Sequence, residues 1–324
     1  MLERAATVFS FARAWGGAQR FDRRALPPVR SAYDGIGVGS CFFVSDLHGK
    51  LERYRSLFDA VARERPEAVF MGGDLLPGGF GLGASGERPP ADFINEVIGH
   101  GLERLRDRLG ADYPQIFVIL GNDDPRFEEA AVLELATRGL WRYAQDRRSM
   151  FGWRPVYGYA YVPPSPFALK DWERYDVSRY VDPGCVSPEE GMRSVPVAEH
   201  VARYATIMED LRRMTEGEDM SEAILLCHSP PYETTLDRAD LDGKMVDHAP
   251  VDVHVGSIAL RRFIESRRPL ITLHGHVHES ARLTGSWRDT LGPTHMFSAA
   301  HDGPELALVR FDPNEPESAA RELI

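Results

Sequence analysis

An α/β fold follows from two features of the chain: short apolar runs that stop in polar or glycine-bearing turns, and helix-compatible stretches between them. The runs are Ser40–Val44 before Ser45-Asp46, Ala68–Met71 before Gly72-Gly73-Asp74, and Ile116–Leu120 before Gly121-Asn122. Two more follow, Ala223–Cys227 before His228 and Leu270–Leu273 before His274. Each is short, apolar on both faces and rich in β-branched or aromatic residues, as buried strands are. Leu51–Glu64, Phe93–Leu109, Arg126–Thr137 and Ser257–Glu265 supply the intervening helices. Strand, helix, strand in repetition makes a layered sheet, and polar residues gather where its strands end, which is where open α/β sheets bind ligands. Near the C-terminus, Met296–Ala299 and Leu306–Phe311 have no helix between them, which predicts an antiparallel second sheet or edge.

With 324 residues, 43% of them hydrophobic, the chain can bury the core of one large domain. The expected organisation is an N-terminal extension over 1–35, helical and lying on the domain, then a main domain over 36–312 and a fraying polar tail over 313–324. Glycine- and proline-rich stretches mark loop insertions at about 77–90, 162–193 and 230–255. A net charge of -11 makes the surface repel polyanions, so an extended nucleic acid is a poor ligand. A small anion at a metal site is compatible with that charge, because a dication dominates its own surroundings. Three widely spaced cysteines without a CxxC pair fit a reducing compartment, hence the cytoplasm. No apolar run is long enough to span a bilayer, and the oligomeric state has no signature in the sequence.

The chemistry is concentrated at the predicted strand ends. Asp46 and His48, one residue apart, can project from a single turn, although an isolated Asp-x-His would also serve as a helix cap. Asp74 lies one strand-helix-strand unit later and so falls beside Asp46. Asn122 introduces Asp123, Asp124 and Pro125, which alone would read as an Asx-turn, and a lone His228 would read as a structural histidine. His274-Gly275-His276-Val277-His278 is different, because three imidazoles within five residues are natural for metal binding and costly as packing. Two aspartates, four histidines and an asparagine amide, mixing oxygen and nitrogen donors, suit Mn, Fe, Zn, Co or Ni, with Mn expected to serve in vitro. Two such cations roughly 3.5 to 4 Å apart need a bridging carboxylate, for which Asp74 is the candidate.

In order, Asp46-Leu47-His48, Gly73-Asp74, Gly121-Asn122, His228 and Gly275-His276-Val277-His278 resemble the signature of the calcineurin-like metallophosphoesterase superfamily. The resemblance implies a two-sheet α/β sandwich with flanking helices. It also implies that Asp46, His48 and His278 hold one metal, that Asn122, His228 and His276 hold the other, and that Asp74 bridges them. The wider sequence is similar to bacterial and archaeal members, and it lacks the Gly-Asp-x-Val-Asp-Arg-Gly block of the eukaryotic-type protein phosphatases. Most of the family has Gly-Asn-His followed by Asp or Glu, whereas this chain has Gly121-Asn122-Asp123-Asp124, without the histidine that assists the leaving group.

The expected activity is hydrolysis of a small phosphoester by a metal-bridging hydroxide, with diesters favoured because Asp123 is a poor proton donor beside two dications. A phosphomonoesterase, or a binding or scaffold protein that keeps the metal site without catalysis, is the alternative. Asp123 and His274 are the further catalytic candidates, His274 being equally readable as a support for the ligands. Lys170 and Arg174, in the cation- and aromatic-bearing segment Phe167–Tyr175, either contact substrate or belong to a packed loop.

Overall fold

The computed structural model describes residues 40–78 and 90–324, so the expected N-terminal extension and most of the 77–90 loop lie outside the described residues. In chain order the first elements are β1 (Cys41–Val44), α1 (Leu51–Glu64), β2 (Ala68–Gly72), α2 (His100–Leu109), β3 (Gln115–Ile119), α3 (Glu129–Thr137) and β4 (Arg142–Tyr143). Then come β5 (Arg148–Phe151), β6 (Arg154–Tyr159), α4 (Glu199–Tyr204), α5 (Ile207–Met214), β7 (Ile224–Cys227), β8 (Met245–Val246) and β9 (Ala249–Pro250). The last are α6 (Ile258–Arg267), β10 (Ile271–His274), α7 (Ser280–Thr284), β11 (Arg288–Leu291), β12 (Thr294–Ser298), β13 (Ala307–Phe311) and β14 (Ala320–Leu323).

Among the described residues these strands build two six-stranded sheets, ordered β14-β13-β1-β2-β3-β4 and β11-β12-β10-β7-β6-β5, with β8 and β9 as a separate short hairpin. β1 to β4 run parallel, as do β6, β7, β10 and β12. The architecture is the mixed α/β fold with two large sheets and flanking helices that the resemblance implies. The five strands read from apolar runs start and end within one residue of the expected positions. Burial on both faces is the reason: they lie in the interior of the two mixed sheets, each beside a parallel neighbour, so no alternation with polar residues interrupts the run.

Aromatic side chains join the sheets. Phe70 of β2 stacks on Phe117 of β3 at 5.1 Å between centroids, and both meet Phe151 of β5 edge-on from the opposite sheet at 6.2 and 6.3 Å. Phe297 of β12 meets Phe311 of β13 across the two sheets in a tilted arrangement at 5.9 Å. Such pairs add about 0.5–1.5 kcal/mol beyond their area burial. Against the sheets, α1 buries Tyr54, Leu57 and Val61, spaced three and four residues apart on one helical face.

In the C-terminal region one expectation holds and one needs correction. The expected antiparallel edge is present on both sheets: β12, which runs parallel beside β10, pairs antiparallel with β11, and β13 pairs antiparallel with β1 and β14 in the other sheet. That the two strands belong to different sheets is something periodicity does not reveal. The polar tail over 313–324 does not fray, because β14 pairs antiparallel with β13 and closes the sheet edge. Its charges suit an edge strand, with Glu322 accepting from Arg310 at 2.9 Å and Arg321 donating to the Ala300 carbonyl at 2.7 Å.

Candidate metal centre

The chain turns sharply after β1, β2 and β3 in one sheet and after β7 and β10 in the other, so both sheets deliver side chains to one place. Asp46, His48, Asp74 and His276 all have positive φ, at 57°, 46°, 52° and 73°. This left-handed conformation costs a non-glycine residue about 1–2 kcal/mol. Backbone hydrogen bonds hold it in place: Asp46 N–H donates to Gly73 O at 2.9 Å and His48 N–H to Asp74 O at 2.8 Å, zipping the loop after β1 to the loop after β2. Gly121 has to be glycine, since a Cβ there would lie 2.3 Å from Asp74 Oδ1.

Asp46, His48, Asp74 and His278 each offer a donor atom within 4.8 Å of the others. His278 Nε2 lies 3.2 Å from Asp46 Oδ1 and 3.0 Å from His48 Nε2. On the other side, His228 Nε2 is 3.0 Å from Asn122 Oδ1, and the His228 and His276 rings are 5.3 Å apart between centroids. Asp74 stands between the two groups, its Oδ2 3.9 Å from His48 Nε2 and 3.3 Å from His228 Nε2.

The donor set asks for positive charge. His228 Nδ1 is 2.8 Å from the Gly72 carbonyl, which requires a proton on that nitrogen, so Nε2 presents a lone pair whenever the ring is neutral. That lone pair faces Asp74 Oδ2 and the oxygen of Asn122, whose Nδ2 is turned outward onto Asp123 Oδ1 at 3.2 Å. Lone pairs converging at such distances repel one another unless a proton or a cation lies between them. Burial lowers the His228 pKa, yet the Asp74 carboxylate outweighs it and carries the ring up to about 10. His276 behaves oppositely, pushed down to about 3 by burial and then by His228, and so stays a neutral donor. Burial opposes ionisation of Asp46 too, but the hydrogen bond from His278 and the surrounding imidazoles hold it well below the usual carboxylate range. These residues therefore fit divalent cations.

Asp123 faces this centre, with Oδ2 3.6 Å from His48 Nδ1 and its side chain 42% exposed. Burial and the charge of Asp74 raise its pKa to about 6. The other three candidates are placed elsewhere. His274 is buried with both ring nitrogens committed, Nδ1 to Ser229 O at 2.9 Å and Nε2 to Thr272 Oγ1 at 2.7 Å. Burial holds it neutral, with a pKa of about 4, so it orders the loop after β7 and has no nitrogen left for proton transfer.

Lys170 does not reach out to substrate. Its Nζ is fully buried against Glu173 Oε2 at 2.5 Å and Ser165 O at 2.9 Å. The Arg174 guanidinium lies over the Tyr161 ring, 4.0 Å from the centroid, and pairs with Asp210. Lys170 is spent inside its own loop, and Arg174 ties that loop to Asp210 of α5.

Two supporting residues escaped the sequence reading. Asp124 is fully buried and accepts from the N–H groups of Leu75 at 3.1 Å, Leu76 at 2.8 Å and Gly121 at 2.9 Å, so it fastens the Asp74 loop to the Asn122 loop. Arg53, also buried, donates to the Asp46 carbonyl and to Gly303 O at 2.6 Å. An arginine beside the apolar stripe of α1 was the available signal for the second. Asp124 looked like part of a turn.

A family model described as calcineurin-like phosphoesterase matches residues 41–280. The chain belongs to this family. A solved structure with 16% identity superposes with a TM-score of 0.53, covering 88% of this chain and 98% of its own, which supports the fold. TT1561 of Thermus thermophilus matches with 15% identity and a TM-score of 0.48, covering 88% of this chain and 99% of its own. A dimetal phosphatase from Danio rerio matches with 12% identity and a TM-score of 0.45, over 85% and 92% of the two chains. No curated protein matches the sequence. Among the described residues of this phosphoesterase, no helix is long and apolar enough to cross a membrane.

Proposed function

We propose that this chain hydrolyses small phosphodiesters, in preference to monoesters, at a centre of two adjacent divalent cations. The observation that carries the reading is Asp74 Oδ2, placed between His48 Nε2 at 3.9 Å and His228 Nε2 at 3.3 Å, where one carboxylate can serve two ions. Asp46, His48 and His278 would hold one ion, Asn122, His228 and His276 the other, with Mn expected to serve in vitro and Fe, Zn, Co or Ni as further candidates. When bound, two such cations supply the positive charge that attracts phosphoryl oxygens and acidifies water near neutral pH.

The chain's own residues set the selectivity. Asp123 places a carboxylate at the edge of the centre, 3.6 Å from His48, where most of the family has an imidazole. With two dications bound, their charge would hold Asp123 ionised, so position 123 supplies no proton to the leaving group, which favours esters whose leaving group needs little protonation. A monoester dianion also meets one more unit of repulsion than a diester monoanion. At about 5 Å and an effective dielectric constant between 20 and 80, that unit is worth about 1–3 kcal/mol.

Turnover of bis-p-nitrophenyl phosphate with added Mn, abolished in Asp74→Asn, is the expected result. Tight metal binding with no turnover of any ester would instead support the second reading, a metal-holding binding or scaffold protein, which the aspartate at position 123 favours.

A further inference from the structure

Phe127, Phe167 and Met192 are large apolar side chains left 58%, 54% and 58% exposed, and all three line one cleft of about 600 Å³. Phe93, Ile94 and Asp123 line it as well. Since Asp123 also stands 3.6 Å from His48, the cleft opens onto the metal centre. Single exposed apolar residues are ordinary on a protein surface, but three converging beside a reaction centre are not.

The wall that carries Phe167 and Met192 is held firmly. Met192 N–H donates to Ala168 O, and Lys170 N–H to Met192 O, both at 2.7 Å. The buried Lys170–Glu173 pair stands behind them, and Asp171 accepts from Arg126 N–H at 2.8 Å, tying the wall to the floor of the cleft. The packing that removes Lys170 from substrate contact is thus what presents the apolar side chains. Volume and lining are those of a small-molecule site.

Resting on the phosphodiesterase reading, we infer that this cleft binds the organic arm of the substrate that is not expelled, and that this arm is apolar and carries no negative charge. The cleft continues from the metal centre, so an ester held there by its phosphoryl group directs one arm into it. Its charged lining residues are the carboxylates Asp123 and Glu128, with no lysine, arginine or histidine among the described ones. Among the described lining residues an arm bearing a second phosphate or a carboxylate finds no counter-charge, whereas an aryl or alkyl arm covers Phe127, Phe167 and Met192.

Two diesters with the same 4-nitrophenolate leaving group test this: 4-nitrophenyl phenyl phosphate and 4-nitrophenyl methyl phosphate, assayed with the Mn-loaded full chain. The phenyl ester is expected to have a kcat/KM at least about tenfold higher, carried by KM. Phe127→Ser and Phe167→Ser, with Met192→Ser as an independent third variant, should cut that ratio to about threefold or less. Trp153→Ser, an exposed aromatic that does not line the cleft, should leave it unchanged. A wild-type ratio near one, or a ratio that no cleft variant alters, assigns the cleft another occupant and overturns the inference while leaving the diesterase reading intact. Hydrolysis of neither ester by metal-loaded protein overturns both.

Discussion

Replacing Asp124 tests whether the metal-binding loops depend on one buried carboxylate that touches none of the proposed ligand atoms. Its Oδ2 accepts from Leu75 and Gly121 N–H at 3.1 and 2.9 Å, and its Oδ1 from Leu76 N–H at 2.8 Å. Asp124→Ala strands three donors in a site sealed from water, each costing about 1–3 kcal/mol if it stays unpaired. Partial relaxation and entering water should reduce the total to about 3–5 kcal/mol. Asp124→Asn keeps the shape and one acceptor oxygen but sets an N–H₂ group against a backbone N–H, so about 1–3 kcal/mol is expected. For a chain of this size roughly 2–4 °C is lost per kcal/mol, which places the melting temperature of the alanine variant about 10 °C below wild type and that of the asparagine variant between them. Differential scanning calorimetry of metal-free protein reads this directly. Metal affinity by competition with a chelator should fall in the same order, because the loops bearing Asp74 and Asn122 are no longer tied together. An alanine variant melting within 2 °C of wild type, or one that loses stability with unchanged metal affinity, would refute the argument.

Elemental analysis should find up to two transition-metal ions per chain, activity should vanish with a chelator, and His228→Ala or His276→Ala should lose one ion while keeping the fold; no bound metal after incubation with Mn or Zn would count decisively against the site. Asp123→His should raise activity toward p-nitrophenyl phosphate relative to its bis ester through a general-acid contribution of order 10²-fold at best, and a wild type that already prefers the monoester would contradict the role given to Asp123. Among the thiols, Cys41 and Cys227 are buried and pushed far above the usual range by burial, while half-buried Cys185 is raised to about 11 by burial and by Asp182. Because the thiolate is the reactive form, native protein should react with a disulfide reagent at one thiol, about 10²-fold slower at pH 8 than an ordinary cysteine. The rate should rise about tenfold per pH unit up to pH 10, and fast labelling of two or three thiols at pH 8 would be the contrary result.

Much of this protein is legible without coordinates. The five strands carrying the proposed ligands are apolar on both faces, and burial in the interior of a mixed sheet writes that as an uninterrupted run, so their ends and the residues just beyond them can be read off the chain. The histidine-dense His274–His278 tract and the ordered Asp, Asn and His blocks then point to a metal site and to the family. Tertiary structure decided what distant segments do to each other. Asp124 became a clasp because the Asp74 loop supplies two of its donors from about fifty positions earlier in sequence. Lys170 and Arg174 had the composition of substrate contacts, but packing around their loop buries Lys170 against Glu173, three residues along, and brings Arg174 to Asp210 on α5. The tail, polar by composition, found an open sheet edge at β13, and backbone hydrogen bonding needs no apolar side chains. Periodicity records which face of an element is buried. The partner on that face is set by how two sheets, their crossovers and their loops pack together, and pairing across such separations leaves no local pattern to read.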